Sequence, residues 1–265
     1  MTVFYKDDAT ELRSGDCLDP VAGLASLADR SVDIFITDPP YSEHVHRNHW
    51  VGQSFPRGRA GKIESFSRAK ELGFAALDSS VRIAAAAEMA RLVRRWVLVF
   101  SDLESAHLWR SDLESVGLEW VRTGIWHKLD SAPQFTGDRP AGSCEAITIC
   151  HPPGRKRWNG GGHHAFWEHA VVINVRGSHR VHTAEKPLAL MRELVRLFSD
   201  PGETIVDPFA GFCTTLRAAK DLDRRSLGWE LQEKYLEPSV RRLGQAVLWK
   251  TPKQGTLVGN TEVGK

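Results

Sequence analysis

Short apolar runs rich in β-branched residues recur along the chain, and most of them are followed by amphipathic stretches of helical length. Six runs have the length and composition of buried strands, at residues 32–37, 96–100, 119–128, 145–150, 203–206 and 226–230. Helices are expected at about residues 19–29, 75–96, 103–117, 188–198, 216–220 and 231–247, and a short strand or tail at residues 1–11. Strands that alternate with helices predict an α/β fold with a doubly wound sheet.

The run at 32–37 ends in an unusual turn, Asp38-Pro39-Pro40-Tyr41. Proline has no N–H and a fixed φ, so neither a strand nor a regular helix continues through this turn. It stands at the carboxyl end of a strand, where open α/β sheets bind their ligands. Asp38 and the Pro39 carbonyl can each accept a hydrogen bond from an exocyclic amine, and Tyr41 can stack on a flat ring. The alternative is a plain strand-to-loop turn with Tyr41 packed on the core.

A second strand–turn–helix unit lies near the carboxyl terminus. Its turn is Asp207-Pro208-Phe209-Ala210-Gly211-Phe212-Cys213-Thr214-Thr215. An acid at the end of a strand and a glycine-bearing turn before a helix suit a nucleoside cofactor, because the ligand approaches the backbone and the helix N-terminus favours its anionic part. The next strand ends in Glu230, which is placed to hold ribose hydroxyls.

These two turns, together with His182-Thr183-Ala184-Glu185-Lys186-Pro187, resemble the β-class amino-methyltransferases of DNA. The resemblance covers about residues 12 to 150 and 180 to 245, with the catalytic half before the cofactor half. It implies a Rossmann-like sheet, S-adenosylmethionine as cofactor and double-stranded DNA as substrate. One departure is that the family carries a second glycine where Cys213 stands and a small residue where Phe212 stands. Either the turn tolerates cysteine or the cofactor binds more weakly than usual.

The resemblance also assigns roles to individual residues. The cofactor site that it implies consists of Asp16, Cys17, Asp38, His182, Thr183, Lys186, Asp207, Pro208, Phe209, Ala210, Gly211, Thr214, Thr215 and Glu230. Asp16 is expected beside the adenine of the cofactor, and Lys186 with a threonine hydroxyl at the methionine carboxylate. Trp126, Lys128 and Pro133 are expected to border the target-base pocket. Asp16 is equally suited to cap the helix predicted after it, and the alternative for Lys186 is a surface cation.

Two polar, basic segments interrupt the alternation of strands and helices. Residues 42–70 follow the catalytic turn directly, which indicates a mobile loop that closes on substrate. In residues 151–180, cations are interleaved with Trp158, Phe166 and Trp167, which suits phosphate contact and base stacking and indicates a target-recognition insert. The cations expected to contact DNA are Arg47, Arg57, Arg59, Lys62, Arg155, Lys156 and Arg157. The alternatives are a solvated surface loop and a structured loop whose aromatic residues form core or dimer contacts.

The expected domain organisation is a methyltransferase domain at residues 1–150 and 181–248, the insert at 151–180 and a disordered tail at 249–265. The net charge of the 265-residue chain is only +2, so a DNA-binding surface must be local. Without a signal peptide, a long apolar span or framework cysteine spacing, the chain is expected to be cytoplasmic, with no membrane contact. The spacing of Cys144, Cys150 and His151 fits no usual zinc site, so no metal is expected. The family resemblance suggests a homodimer.

The predicted reaction is methyl transfer from S-adenosylmethionine to the N6 amine of an adenine flipped out of double-stranded DNA. Hydrogen bonds from the amine to Asp38 and the Pro39 carbonyl free its lone pair for in-line attack. Adenine is favoured because the family's adenine enzymes usually carry Asp at the first motif position. Cytosine N4 is the alternative. A methyltransferase that acts on RNA or on a protein glutamine is a weaker alternative, because the similar enzymes of those classes usually place the cofactor half before the catalytic half. Phe212 and Cys213 also suggest an inactive DNA-binding scaffold.

Overall fold

The structure, a computed structural model, describes residues 2–41, 77–131, 133, 140–172 and 185–247. Within these ranges, nine strands form a single sheet: β1 Thr2–Lys6, β2 Thr10–Ser14, β3 Val32–Thr37, β4 Val93–Ser101, β5 Glu119–Lys128, β6 Cys144–His151, β7 Phe166–His169, β8 Thr204–Asp207 and β9 Arg225–Glu230. The described α-helices are α1 Ser79–Leu92, α2 Ala106–Ser115, α3 Leu188–Phe198, α4 Thr214–Asp221 and α5 Glu233–Leu243.

The strand order is β1-β2-β9-β8-β3-β4-β6-β5-β7. Strands β2, β9, β8, β3 and β4 are parallel to one another, and β1 is an antiparallel edge strand. Strand β6 runs antiparallel to both β4 and β5, and β7 pairs parallel with β5. The carboxyl ends of β3, β4, β8 and β9 therefore share one edge of the sheet with the start of β6 and the ends of β5 and β7. We call this the front edge.

Helices cover both faces of the sheet, because successive residues of the buried strands point to opposite faces. Ile34 and Ile36 belong to a core layer with Leu194 of α3 and Ala218 of α4. Phe35 belongs to the other layer, which includes residues of α1 and α2 such as Met89, Trp109 and Leu113. Each such fully buried side chain contributes roughly 1.5–3 kcal/mol of transfer free energy. This arrangement confirms the predicted doubly wound α/β sheet.

The first long helix is shorter than its sequence predicts. Asp78 caps its start by accepting a hydrogen bond from the Ser80 N–H at 2.7 Å. The helix ends at Leu92 and β4 begins at the next residue, since Val93 pairs with Val32 of β3. The arginines at 94 and 95 were expected to close the helix, and they lie in the strand instead. Neighbouring carboxylates and carbonyls pair with both of them.

The helix predicted at residues 19–29 is wrong. The structure has turns there and a short 3-10 helix at Leu24–Ser26. The Asp16 carboxylate accepts from the Leu18 N–H, and the Asp19 carboxylate accepts from the N–H groups of residues 21 and 22. Such local side-chain bonds compete with helix formation. Asp16 consequently caps no helix, although it does organise a turn.

Strands β2 and β7 were not predicted as separate elements, while β1 confirms the expectation of a short strand near the amino terminus. Strand β7 lies inside the segment predicted as a recognition insert, and it pairs with β5 from Ile125↔Phe166 to Lys128↔His169. The described part of this segment is therefore continuous with the sheet. No helix within the described ranges is long and apolar enough to cross a membrane.

Candidate functional site

The two motifs that define the site lie side by side at the front edge. Strand β3 delivers Asp38 and strand β8 delivers Asp207, and the two strands pair in register at Phe35↔Val206. The buried Thr37 hydroxyl donates a 2.7 Å hydrogen bond to Asp207 Oδ1 across 170 residues of sequence. The sheet thus joins the predicted catalytic turn to the predicted cofactor turn.

A compact cluster of charged groups surrounds the catalytic turn. The buried Lys186 Nζ lies 2.5 Å from Asp38 Oδ2, 3.1 Å from the Tyr41 hydroxyl and 3.2 Å from Glu145 Oε2. The Tyr41 hydroxyl donates to Glu145 Oε2 at 2.5 Å. Lys128 Nζ closes the cluster at 2.6 Å from Glu145 Oε1. Two lysines therefore balance two carboxylates.

The partners of Lys186 differ from the sequence-based expectation. Its ammonium has three N–H donors, and three acceptors of the protein already lie within hydrogen-bond distance. In this arrangement no donor remains for the methionine carboxylate of a cofactor. The alternative of a surface cation is also wrong, because only 5% of the Lys186 side chain is exposed.

Burial and pairing act in opposite directions on the acids of this cluster. Burial raises the pKa of Asp38 above its ordinary value, with Lys186 opposing it. Burial would also raise the pKa of Glu145, but Lys186 and Lys128 outweigh it and lower that pKa to about 2. Asp38 and Glu145 together raise the pKa of Lys186 despite its burial. Burial raises the pKa of Tyr41 well above its ordinary value, so its phenol stays neutral.

Asp38 retains one acceptor for a ligand. Its Oδ2 is paired with Lys186, while Oδ1 is buried and has no hydrogen-bond partner within the part of the chain that the structure describes. Buried polar atoms of native proteins nearly always have partners, so an unpaired carboxylate oxygen at the end of a strand points to a missing donor. An amine N–H from a bound ring would supply that donor.

The cofactor turn is built around two buried carboxylates. Asp207 Oδ1 also accepts from the Phe209 N–H at 3.1 Å, and burial raises the pKa of Asp207 to about 6. Glu230 Oε2 accepts from the Gly211 N–H at 2.7 Å, and burial raises the pKa of Glu230. Gly211 has a φ of +51°, a conformation in which glycine carries no Cβ penalty. Each Glu230 oxygen has a further lone pair with which it can accept from a ligand hydroxyl.

The turn closes with cysteine at the position where the resembling family has glycine. Cys213 adopts the left-handed conformation, with φ 56° and ψ 32°, at a cost of roughly 1–2 kcal/mol for a residue with a Cβ. Its N–H donates to the Ala210 carbonyl at 2.6 Å, and its side chain is buried beside Leu12 and Leu216. The turn therefore tolerates cysteine. Burial raises the pKa of this thiol to about 12, which keeps it protonated.

The two threonines after this turn have different partners. Thr215 donates a hydrogen bond to the Asp207 carboxylate. Thr214 Oγ1 accepts from the Arg242 guanidinium of α5 at 2.6 Å. Arg242 also pairs with Glu185, which immediately precedes Lys186. Helix α5 thus ties the cofactor turn to the segment that supplies Lys186.

The amino-terminal part of the predicted cofactor site lies at the same edge. The Gly15 N–H donates to the Glu230 carbonyl at 2.9 Å, which places Asp16 next to the end of β9. Asp16 is exposed, so its carboxylate is accessible to a ligand. Cys17 is buried in the core layer with α1, and burial raises the pKa of its thiol.

The predicted DNA-contacting residues divide into two groups. Arg47, Arg57, Arg59 and Lys62, as well as His182 and Thr183 of the predicted cofactor site, lie outside the described residues. Arg155, Lys156 and Arg157 follow the end of β6, and β6 runs antiparallel to β4. They therefore lie at the edge of the sheet opposite the catalytic turn.

The described part of the predicted insert favours the alternative of a structured loop. Lys156 pairs with Glu119 at 2.5 Å, and Arg157 pairs with Asp200. Trp167 is only 2% exposed, so its ring is not free to stack on a base, and the partly buried Trp158 packs edge-on against Phe198. Phe166, in contrast, is 46% exposed.

Glu145 is the site residue that the sequence did not single out. The acids predicted for the site all lie at or just after the carboxyl end of a strand. Glu145 is instead the second residue of β6, and it reaches the front edge because that strand is antiparallel to β4. The available signal was a lone acid in the otherwise uncharged strand Glu145-Ala146-Ile147-Thr148-Ile149-Cys150. Among the described residues, no group of three or more His, Cys, Asp or Glu side chains is arranged to hold a metal ion.

The sequence matches a known protein family over most of its length. A family model described as DNA methylase, of the N6/N4 methyltransferase type, matches residues 32–241. The type II methyltransferase M.HinfI of Haemophilus influenzae is 21% identical over 257 residues, which cover 89% of this chain and 69% of that relative.

Solved structures are similar in fold. The M1.HpyAVI–SAM complex superposes with a TM-score of 0.64 at 20% identity, covering 89% of this chain and 100% of that one. The PvuII DNA methyltransferase, named as cytosine-N4-specific, superposes with a TM-score of 0.67 at 13% identity, covering 91% and 88% of the two chains. At these identities the likeness concerns the architecture alone, which agrees with the Rossmann-like sheet predicted from the sequence.

Proposed function

Because the chain belongs to the N6/N4 DNA methylase family, and is therefore a DNA amino-methyltransferase, we propose that its target is the N6 amine of an adenine flipped out of double-stranded DNA. The observation that carries this proposal is Asp38 Oδ1, a buried acceptor at the front edge next to the cofactor turn that has no hydrogen-bond partner among the described residues. The methyl donor is S-adenosylmethionine.

The residues at the cofactor turn fit this donor. The Glu230 carboxylate accepts from ribose hydroxyls, and the exposed Asp16 accepts from the adenine amine. Thr214 binds the methionine carboxylate: since its oxygen already accepts from Arg242, its own O–H is free to donate to an anion. S-adenosylmethionine supplies an electrophilic sulfonium methyl group when bound.

The protein activates the amine by orientation and electrostatics. Asp38 Oδ1 accepts one N–H of the amine and the Pro39 carbonyl accepts the other, which favours a pyramidal nitrogen. With the cofactor bound, the nitrogen lone pair, no longer shared with the ring, would attack the methyl carbon while the methyl–sulfur bond breaks and the neutral thioether leaves. The methylated nitrogen would then release one proton along its hydrogen bond to Asp38 Oδ1. Tyr41 stacks on the ring. Taking the base out of the duplex costs a few kcal/mol, which binding must supply.

Cytosine N4 is the second candidate, because its exocyclic amine offers the same two donors. The cytosine-N4-specific PvuII enzyme shares the fold. Adenine is preferred because Asp38 occupies the first motif position, as in the adenine enzymes that the sequence resembles. An inactive scaffold is disfavoured, since the turn closes around Cys213 and both carboxylates of the cofactor turn are in place.

Transfer of labelled methyl groups from S-adenosylmethionine to unmethylated genomic DNA, followed by separation of the nucleosides, tests this function. We expect N6-methyladenine at a subset of sites. N4-methylcytosine would overturn the base assignment alone. Absence of label in DNA, with intact cofactor binding, would overturn the DNA substrate and direct attention to RNA or protein.

The substitution Asp38→Ala tests the role of the carboxylate. We expect it still to bind S-adenosylmethionine and to lose methyl transfer by about 100-fold or more, the size of a positioned polar group's contribution. The matched control is Asp33→Ala, at the other end of β3, where the carboxylate pairs with Arg94 and accepts from the Thr204 N–H. The folded control should keep its transfer rate. Full activity of Asp38→Ala would refute the mechanism.

A further inference from the structure

Four charged side chains meet beside the catalytic turn although only one of them, Asp38, has a role in the proposed chemistry. We propose that Glu145 and Lys186 are positioning residues that fix the Tyr41 ring and the Asp38 carboxylate around the target amine. The inference rests on the proposed function and extends it to β6 and to the segment before α3.

Glu145 fixes the orientation of the Tyr41 ring. The Tyr41 hydroxyl has one proton and donates it to Glu145 Oε2 at 2.5 Å. Lys128 holds the other oxygen of Glu145 at 2.6 Å, so the carboxylate cannot rotate without breaking two charge-assisted bonds. A ring held at its hydroxyl end presents a defined face to a stacking base.

Lys186 fixes the Asp38 carboxylate in the same way. It pairs with Oδ2 at 2.5 Å, while Oδ1 has no partner within the described ranges and so can accept from a ligand. Its remaining contacts, to Tyr41 at 3.1 Å and Glu145 at 3.2 Å, join the ring and the carboxylate into one network. Tyr41 and Asp38, which would contact the base, are therefore each held in place by a charged residue, Glu145 or Lys186, that would not contact it.

The cluster is poorly explained as a stabilising device. Four ionised side chains at a partly buried position carry a desolvation penalty, and well-packed apolar residues of similar size would give equal or greater stability. Among the described residues the network also leaves Asp38 Oδ1 without a hydrogen-bond donor, and an unpaired oxygen adds nothing to the stability of a purely structural ion-pair cluster. A target amine would satisfy this oxygen. This observation links the cluster to ligand binding.

Three charged residues act on Asp38 directly, and a fourth acts through one of them. Lys186 precedes α3, Glu145 lies on β6 and Asp207 ends β8, while Lys128 of β5 lies behind Glu145. Tyr41 is neutral. Lys186 lowers the pKa of Asp38 and Glu145 raises it. Removing one of these two charges should therefore move the pKa of Asp38 in the direction opposite to removing the other.

Single-turnover methyl transfer measured from about pH 4 to 9 with Glu145→Gln and Lys186→Met tests the inference. The rate should fall by about 100-fold in each, the effect of misplacing a reacting group by about 1 Å, with the S-adenosylmethionine Kd changed less than about threefold. If Asp38 acts as the carboxylate, activity is lost as the pH falls through its pKa. The acid limb of the profile should shift to lower pH in Glu145→Gln and to higher pH in Lys186→Met, by about 1 unit.

Two further variants separate positioning from loss of stability. Tyr41→Phe removes the hydroxyl that donates to Glu145 but removes no charge, so it should slow transfer. Because that hydroxyl also lowers the pKa of Asp38, the acid limb should move toward higher pH, opposite to its movement in Glu145→Gln. Glu203→Gln is the matched control, because Glu203 is a partly buried, ion-paired carboxylate at the opposite edge of the sheet. It should keep both the single-turnover rate and the pH profile of the wild type. Cofactor binding and thermal unfolding confirm that each variant is folded.

The outcomes are distinguishable. If the wild type places no label in DNA, the proposed function fails, and the inference fails with it. If the wild type is active and Glu145→Gln keeps the wild-type rate and acid limb, the inference alone is overturned. It is also overturned if both variants shift the acid limb in the same direction. Should Lys186→Met fail to fold, Glu145→Gln and Tyr41→Phe carry the test.

Discussion

Asp207 is a carboxyl group whose burial opposes its ionisation. Three donors hold it, the Thr37 hydroxyl, the Thr215 hydroxyl and the Phe209 N–H, yet burial still raises its pKa to about 6. In the unfolded chain the same group titrates near 3.9. The folded protein therefore binds this proton more tightly than the unfolded chain does. Its contribution to stability is complete below about pH 4 and is lost as the pH rises through about 6.

The substitution Asp207→Asn should remove this pH dependence. Between pH 4 and pH 6 the free energy of unfolding of the variant, relative to the wild type, should rise by about 2 kcal/mol, because only the wild type must ionise a buried carboxyl group over that range. Urea unfolding of the cofactor-free proteins at half-unit pH steps measures the difference. A difference that stays flat, or falls with rising pH, would show that the Asp207 pKa is not raised.

Helix α5 is an element whose two neighbouring arginines have different environments. Arg242 bonds Glu185, Thr214 Oγ1 and the Phe212 carbonyl, and so connects the cofactor turn to the segment before α3. Arg241 pairs only with Glu237 among the described residues, at 3.6 Å, with about four fifths of each side chain exposed. Position on the helix, rather than charge, thus separates a connecting residue from a solvated one.

We expect Arg242→Met to lower the free energy of unfolding by about 2 kcal/mol, because the poorly exposed Glu185 loses its cation. Cofactor affinity should also fall, since the Thr214 hydroxyl loses the donor that orients it. Arg241→Met is the control and should stay within about 0.5 kcal/mol of the wild type. Urea unfolding and calorimetric titration with S-adenosylmethionine give both quantities. Equal effects of the two substitutions would contradict the assignment.

At the scale of the whole molecule, the two edges of the sheet have different roles. The front edge gathers Asp38, Glu145, Asp207 and Glu230. The opposite edge carries a structural ion-pair cluster in which Arg95 and Arg157 meet Asp200 and Glu203. DNA that delivers a base to Asp38 must approach the front edge. Residues 42–70 follow the catalytic turn in the sequence, whereas Arg155, Lys156 and Arg157 follow the end of β6 at the opposite edge.

The salt dependence of DNA binding should therefore distinguish the two groups of predicted contacts. Neutralising Arg57, Arg59 and Lys62 should reduce the slope of log K against log salt concentration by about 0.9 for each cation that contacts a phosphate. Neutralising Arg155 and Lys156 should leave the slope unchanged. Fluorescence anisotropy between 50 and 300 mM salt, roughly the range in which such slopes are resolved, measures both. A larger loss from the second group would place DNA on the opposite edge. The homodimer remains a prediction.

The sheet was predictable because its strands carry strong local signals. Val32–Thr37 and Thr204–Asp207 are mostly apolar strands, the first followed by Asp38 and the second ending in Asp207. These strand ends indicated both the fold and the position of the site. The junction between α1 and β4 was not predictable, since Leu92 and Val93 are joined without a glycine, a proline or a loop. Only the pairing of Val93 with Val32 decides where the helix ends.

The residues of the site were easier to predict from the sequence than the contacts that they make with one another. Lys186 was identified, but its ion pairs depend on Glu145, which enters the site from an antiparallel strand more than 40 residues before it. No local pattern reports which edge of the sheet a strand will start from. The burial of Trp167 was not predictable for the same reason, because it depends on packing in a core layer with Phe198 of α3.

The pairing of β3 with β8 sets the order in which activity can arise during synthesis. Thr37 leaves the ribosome 170 residues before Asp207, a delay on the order of 10 to 30 s at ordinary elongation rates. For most of that interval the nascent chain carries Asp38 and Tyr41 without Lys186, and throughout it lacks strand β8, which pairs with β3. A polypeptide that modifies DNA is thus inert until nearly all of it has been translated, and one cut short by premature termination cannot mark the genome.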